Sequence, residues 1–111
     1  MVLPARWSDD ETDDVALGSG ASQYPWWVSI RIDPNDSSWY RVESINPDYS
    51  DSDVSEHYVS RGCFRTIVRD IAFGRHDVGE RIVGYIKDDD LDADAVDVVF
   101  QIACFGKVIY S

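Results

Sequence analysis

An alternation of apolar and polar side chains directly after Tyr24 constrains the fold of this chain more than any other feature. One set of alternate positions is Trp26, Val28, Ile30 and Ile32, and the set between them is Trp27, Ser29, Arg31 and Asp33. A period of two residues is that of a β-strand with one buried face. Turn-forming residues fill 33–38, and residues 39–45 predict a return strand. The sequence therefore predicts a β-hairpin that buries the first of these two sets.

The opposite face of that hairpin is predicted to combine tryptophan and arginine. Its members are Trp27, Arg31, Trp39 and Arg41. An arginine over a tryptophan ring is worth about 0.5–1 kcal/mol, and both residue types are enriched at binding hot spots. Two interpretations stay open, because these side chains either shield one another beneath a helix or form a binding surface for a partner.

Residues 54–73 show the spacing of one amphipathic helix that ends at Gly74. Its apolar positions recur at intervals of three and four residues, and they are Cys63, Phe64, Ile67, Val68 and Ile71. A basic stripe lies beside them at Arg61, Arg65 and Arg69. In a chain of net charge −11 we expect these arginines to pair with the protein's own aspartates, and an anion site is the open alternative.

The remaining segments complete a prediction of α+β class. Residues 78–87 fit a helix or a strand, residues 93–105 favour a helix with a strand as the alternative, and residues 107–110 predict a terminal strand. Residues 1–22 carry acids and a Gly/Ser-rich linker, which predicts a flexible tail. We therefore expect one small domain over residues 23–111, in which a hairpin and a C-terminal strand pack on two or three helices.

The negative charge of the chain is concentrated in one segment. Six of the ten residues from 88 to 97 are aspartate, namely Asp88, Asp89, Asp90, Asp92, Asp94 and Asp97. Phosphate contacts need a basic patch, so we expect no direct binding of nucleic acid. A dense array of carboxylates attracts a cationic partner or a metal ion, or it keeps a protein soluble in salt.

The sequence contains no recognisable motif for metal binding or catalysis. An EF-hand frame that starts at Asp88 meets Ala93 and Val99 where glycine and glutamate are required. Four further side chains have spacings that fit no common zinc site: His57, Cys63, His76 and Cys104. We expect the thiols to be reduced and buried, and we expect neither a catalytic residue nor a metal or other cofactor. A metal-dependent role for the aspartates is the remaining alternative.

The leading hypothesis is a non-catalytic inhibitor or adaptor that binds a basic, nucleic-acid-binding surface of another protein. Its predicted contacts are the six aspartates of residues 88–97, helped by the acids of residues 9–14. Phage inhibitors of host defence, such as anti-CRISPR proteins that mimic DNA, have a similar size and charge, as do immunity proteins that neutralise toxins. This likeness is one of profile and identifies no family.

The second hypothesis is a salt-adapted domain whose acidity serves solubility alone. Its function is then an oligomer or assembly contact through the Trp27, Arg31, Trp39 and Arg41 face, and a homodimer stays open. The chain opens without the apolar core of a signal peptide and has no apolar run of membrane-spanning length. We therefore expect a cytoplasmic protein with no membrane partner.

Overall fold

A computed structural model describes residues 6–45, 54–88 and 90–110. Its elements are α1 (Asp9–Gly18), a 3-10 turn (Ala21–Gln23), β1 (Trp27–Ile32), β2 (Trp39–Ile45), β3 (Val54–Ser60), α2 (Arg61–Ala72), α3 (Glu80–Lys87) and α4 (Ala93–Phe105). The strands form one antiparallel sheet in the order β1-β2-β3. The described residues thus form a small α+β domain with a three-stranded sheet and four α-helices. Within the described ranges no helix is long and apolar enough to cross a membrane.

The predicted hairpin is confirmed, but its first strand changes phase. The register pairs Trp27 with Ser44 and Ser29 with Glu43, which leaves Val28 as the extra residue of a β-bulge. A slip of one residue moves every preceding side chain to the other face of the sheet. Trp27 is therefore buried and Val28 is exposed, the reverse of the prediction, whereas Ile30 and Ile32 pack against the core as expected.

The single helix predicted over residues 54–73 is wrong in its first part. Residues 54–60 form β3, which pairs with β2 from Ile45 opposite Val54 to Trp39 opposite Ser60. The Ser60 side chain then accepts a hydrogen bond from the Cys63 N–H at 3.0 Å and starts α2. The predicted apolar stripe of α2 is buried except at Cys63, which is exposed in the first turn of the helix.

The C-terminal strand predicted over residues 107–110 is also absent, since residues 107–110 lie outside the described strands. The N–H groups of Ile109 and Tyr110 donate to Oε1 of Gln101 at 2.9 and 2.8 Å. A buried side chain thus satisfies backbone groups that a sheet would otherwise pair. The third strand of the sheet is β3, and the two ambiguous segments before the C-terminus are the helices α3 and α4.

Helix α1 occupies a segment whose composition predicts a flexible tail. Ser8 and Glu11 form a capping box, in which each side chain accepts from the backbone N–H of the other residue. Thr12 and Ala16 are buried against the rest of the domain. Residues 6–22 are therefore part of the folded body, while residues 1–5 lie outside the described ranges.

The core lies between the inner face of the sheet and the helices. Three buried rings meet there, with centroids 6.3 Å apart for Tyr40 and Phe64, 6.0 Å for Tyr40 and Phe100, and 5.3 Å for Phe64 and Phe100. Helix α4 is its most deeply buried element, because residues 95–102 are all buried. The outer face of the sheet exposes Trp39 and Tyr58 instead.

Candidate functional site

Two of the six predicted contact aspartates have structural roles at the start of α4. Asp92 is the N-cap, and its Oδ1 accepts the Ala95 N–H at 2.9 Å. Asp94 accepts hydrogen bonds from the Tyr24 hydroxyl and, at 3.3 Å, from Nη1 of Arg81. Both carboxylates are therefore engaged within the domain.

Asp97 is buried, so it does not lie on an acidic surface. Its Oδ1 accepts the indole N–H groups of Trp26 and Trp27, each at 2.7 Å, and its Oδ2 accepts from Gln101 Nε2 at 2.8 Å. Burial raises the pKa of this carboxyl above its usual value, and the three hydrogen bonds oppose that shift. This position is inconsistent with the predicted contact role of Asp97, because only 6% of the residue is exposed to solvent.

A stack of aromatic rings lies beside the carboxylates of Asp94 and Asp97. Tyr24 and Trp26 have centroids 5.0 Å apart, Trp26 and Tyr110 have centroids 5.2 Å apart, and the planes are nearly parallel. With α3 and α4 these rings line a cleft of about 250 Å³. The middle ring is covered on both faces, so this stack closes the domain around Asp97 and presents no open aromatic face at Trp26.

Asp88 and Asp90 are the members of the predicted cluster that stay exposed, while Asp89 lies outside the described residues. Asp90 lines a groove of about 330 Å³ together with Asp14 on α1. The other lining residues are Val15, Gly18, Ser19 and Leu91. The acidic N-terminal segment and the acidic α3–α4 connection, distant in sequence, thus meet at one surface, which we name the acidic groove.

Helix α1 uses some of its acids in contacts within the fold and leaves others exposed. Asp13 holds the Arg61 guanidinium through two hydrogen bonds of 2.8 Å, and Asp9 lies 2.6 Å from Nη2 of Arg65. Asp10 and Asp14 stay exposed, and their spacing of four residues puts them on one side of the helix. The Ser8–Glu11 capping box was the sequence signal that could have located this helix.

The basic stripe of α2 is an intramolecular charge network, as predicted. Besides the contacts of Arg61 with Asp13 and of Arg65 with Asp9, Arg69 lies 3.1 Å from Asp70. The Arg61 guanidinium, through its hydrogen bonds, holds the pKa of Asp13 below its usual value. Arg61 and Arg65 thus fix α1 on α2, whereas Arg69 pairs within α2.

The tryptophan and arginine face of the hairpin, predicted as the alternative binding surface, is present but lacks one of its predicted residues. Trp27 has left it for the core, where its ring stacks on Phe105 with centroids 6.1 Å apart. The face that remains, which we name the outer sheet face, comprises Arg31, Trp39, Arg41, Glu43, Val54, Glu56 and Tyr58. Ion pairs lie across it: Nη2 of Arg41 is 2.8 Å from Glu56, and Nη2 of Arg31 is 3.7 Å from Glu43.

Neither thiol is activated as a nucleophile. The pKa of the Cys63 thiol is raised by partial desolvation, although the residue as a whole is exposed. Burial, together with the charge of Cys63, raises the pKa of Cys104 to about 12. Burial also lowers the pKa of His57, whose ring meets Phe105 edge-on at 5.4 Å. Within the described ranges no three His, Cys, Asp or Glu side chains are grouped to hold a metal ion.

Comparisons of this chain with protein-family models, with curated proteins and with solved structures found no match.

Proposed function

We propose that this protein is a small, non-catalytic module that binds the basic surface of a partner protein through its acidic groove. The observation that carries this proposal is that Asp14 and Asp90 line one groove although they belong to separate acidic segments. The proposed contacts are Asp14 and Asp90, which line the groove, with the exposed Asp10 and Asp88 close to them in sequence. Of the contacts predicted from sequence, this set omits Asp92, Asp94 and Asp97, which are engaged within the domain.

The chemistry of the groove suits lysine and arginine side chains. Aspartate is short, so its carboxylate loses little side-chain entropy when a cation docks on it. Val15 and Leu91 also line the groove, and they offer apolar contact to the long stems of basic side chains. The net charge of −11 favours rapid encounter with a positively charged partner.

A surface that normally holds nucleic-acid phosphates is the partner surface this groove fits best. Such a surface presents several cations in a row, and carboxylates spaced along a helix and a neighbouring connection can occupy them together. A protein that does so acts as an inhibitor or adaptor, since it competes with nucleic acid and performs no reaction of its own.

A capture experiment with matched variants tests this function. The groove variant carries Asp14→Asn, Asp88→Asn and Asp90→Asn, and the control carries Asp36→Asn, Asp77→Asn and Glu80→Gln, so both lose the same charge from exposed residues. We expect the wild type and the control to capture, from bacterial lysate at low salt, a protein that added duplex DNA displaces. The groove variant should lose that capture.

Equal capture by the two variants would show that net charge, and not the groove, retains the partner. Capture that DNA does not displace would contradict the nucleic-acid-binding class of the partner. If the wild type captures no protein that DNA displaces from any lysate fraction, the proposed function itself loses its support.

A further inference from the structure

We infer that the outer sheet face binds a second copy of this chain, giving a symmetric dimer whose sheets pack face to face. Six large apolar or aromatic side chains are exposed in the described residues, and three of them lie on this face: Trp39, Val54 and Tyr58. In the register of β2 and β3, Tyr58 faces Arg41, which puts it diagonally next to Trp39. Tryptophan, tyrosine and arginine side by side are the residues that dominate interface hot spots.

The charge of this face favours a second copy over other partners. The molecule carries −11, yet the outer sheet face balances Arg31 and Arg41 against Glu43 and Glu56. Two copies repel each other through their acidic surfaces, and they approach at lowest cost through the face whose charges cancel. A basic partner is drawn to the acidic groove instead, and an acidic partner is repelled by the whole molecule.

The pattern of these charges is self-complementary, as a two-fold interface requires. Arg31 lies directly opposite Arg41 in the register, and only Arg41 holds a carboxylate at short distance. The Arg31 side chain is 53% exposed and stands 3.7 Å from Glu43. A two-fold axis through the face can place Arg31 of each copy opposite a carboxylate of the other.

The size of the face sets the strength of the dimer. Three strands about 4.8 Å apart and about 23 Å long give a flat footprint of roughly 300 Å². Standard interfaces bury about 800 Å² of accessible surface per partner, so this is a small contact with two aromatic anchors. We expect dissociation constants between about 10 µM and 1 mM.

The dimer leaves both acidic grooves open. Asp13 of α1 accepts a hydrogen bond of 2.5 Å from Tyr40, whose side chain lies on the inner face of the sheet. Helix α1 and its groove therefore lie on the side of the sheet opposite the outer sheet face. This inference does not depend on the function proposed for the groove, although a dimer would present two grooves to a partner.

Sedimentation equilibrium of the full chain tests the dimer. Tyr58→Ser and Trp39→Ser, which change different strands, should each weaken self-association roughly tenfold or more. Phe73→Ser is the matched control, because Phe73 at the end of α2 is 52% exposed against 51% for Tyr58. Circular dichroism checks that each variant keeps the secondary structure of the wild type.

A wild type that stays monomeric at about 1 mM would overturn the inference. So would dimers that Phe73→Ser weakens as much as Tyr58→Ser, or dimers that neither Tyr58→Ser nor Trp39→Ser weakens. The triple groove variant should still dimerise, so failure of the dimer and failure of the proposed function are read separately.

Discussion

Asp94 and Asp97 lie one helical turn apart on α4, and their surroundings give the two carboxylates different roles. The Asp94 side chain is 42% exposed and pairs with Arg81 at the surface. Asp97 is buried and accepts two indole N–H groups and one amide, so it joins β1, α4 and, through Gln101, the C-terminal residues. A carboxylate in this position acts as the acceptor around which the aromatic side of the core is arranged.

We expect Asp97→Ala to lower the free energy of unfolding by about 2–4 kcal/mol. The substitution leaves the buried donors of Trp27 and Gln101 without their acceptor, and each unsatisfied buried group costs about 1–3 kcal/mol. Urea unfolding followed by tryptophan fluorescence measures the change. Asp94→Ala is the control and should change stability by less than about 1 kcal/mol, because its side chain is partly exposed. Equal losses in the two variants would contradict the central role of Asp97.

Helix α1 shows how an element with little apolar surface of its own becomes part of a domain. Thr12 and Ala16 are its buried residues, and two ion pairs to α2 supplement them. The stronger contact joins Asp13 to Arg61 by two parallel hydrogen bonds and extends to the Tyr40 hydroxyl. The ionised state of one carboxylate therefore contributes to the docking of α1.

We expect Asp13→Asn to lower the free energy of unfolding by about 1–2 kcal/mol at pH 7, since the pair is largely shielded from solvent. The folded pKa of Asp13 lies below its ordinary value of 3.8, so the contribution is complete above pH 3.8 and is lost as the pH falls through the folded pKa. The difference in stability between wild type and variant should thus shrink below pH 3.8. Chemical unfolding across a pH series measures it.

The exposed neighbour Asp14 provides the control for this element. Asp14→Asn should leave the stability at pH 7 nearly unchanged, because Asp14 is exposed, while it weakens capture of the groove's partner. A difference between wild type and Asp13→Asn that stays constant down to acid pH would show that ionisation of Asp13 does not hold α1 in place.

The whole molecule has two faces of opposite character. The helical side carries the acidic groove, and the other side carries the charge-balanced outer sheet face. Charges dominate the expected contacts of the first face and aromatic side chains those of the second. The two faces should therefore respond differently to salt.

We expect a rise from about 0.1 to 1 M salt, which shortens the Debye length from about 10 Å to 3 Å, to abolish capture through the groove. The same change should maintain or strengthen the dimer, because it screens repulsion between two copies that each carry −11. Parallel capture and sedimentation experiments measure both responses. A dimer that dissociates as salt rises would contradict an interface built on Trp39 and Tyr58.

Local patterns in the sequence predicted the hairpin, the helical character of 61–72 and the α+β class. These follow from periodicity, because a strand or an amphipathic helix repeats its buried positions at a fixed interval. The phase of β1 did not follow, since a bulge at Val28 shifts the pattern by one residue and depends on how β2 pairs with it. Residues 54–60 became a strand because β2 offers them a full set of partners.

The charged residues mark the boundary between what sequence and tertiary structure determine. Composition by itself determined that the protein is strongly acidic. Only the tertiary structure decided which carboxylates are buried, paired or free, since Asp97 and Asp90 are chemically the same and differ in what the fold packs around them. Side chains distant in sequence, such as Asp14 and Asp90, come to line one groove through long-range packing, and no local pattern encodes that arrangement.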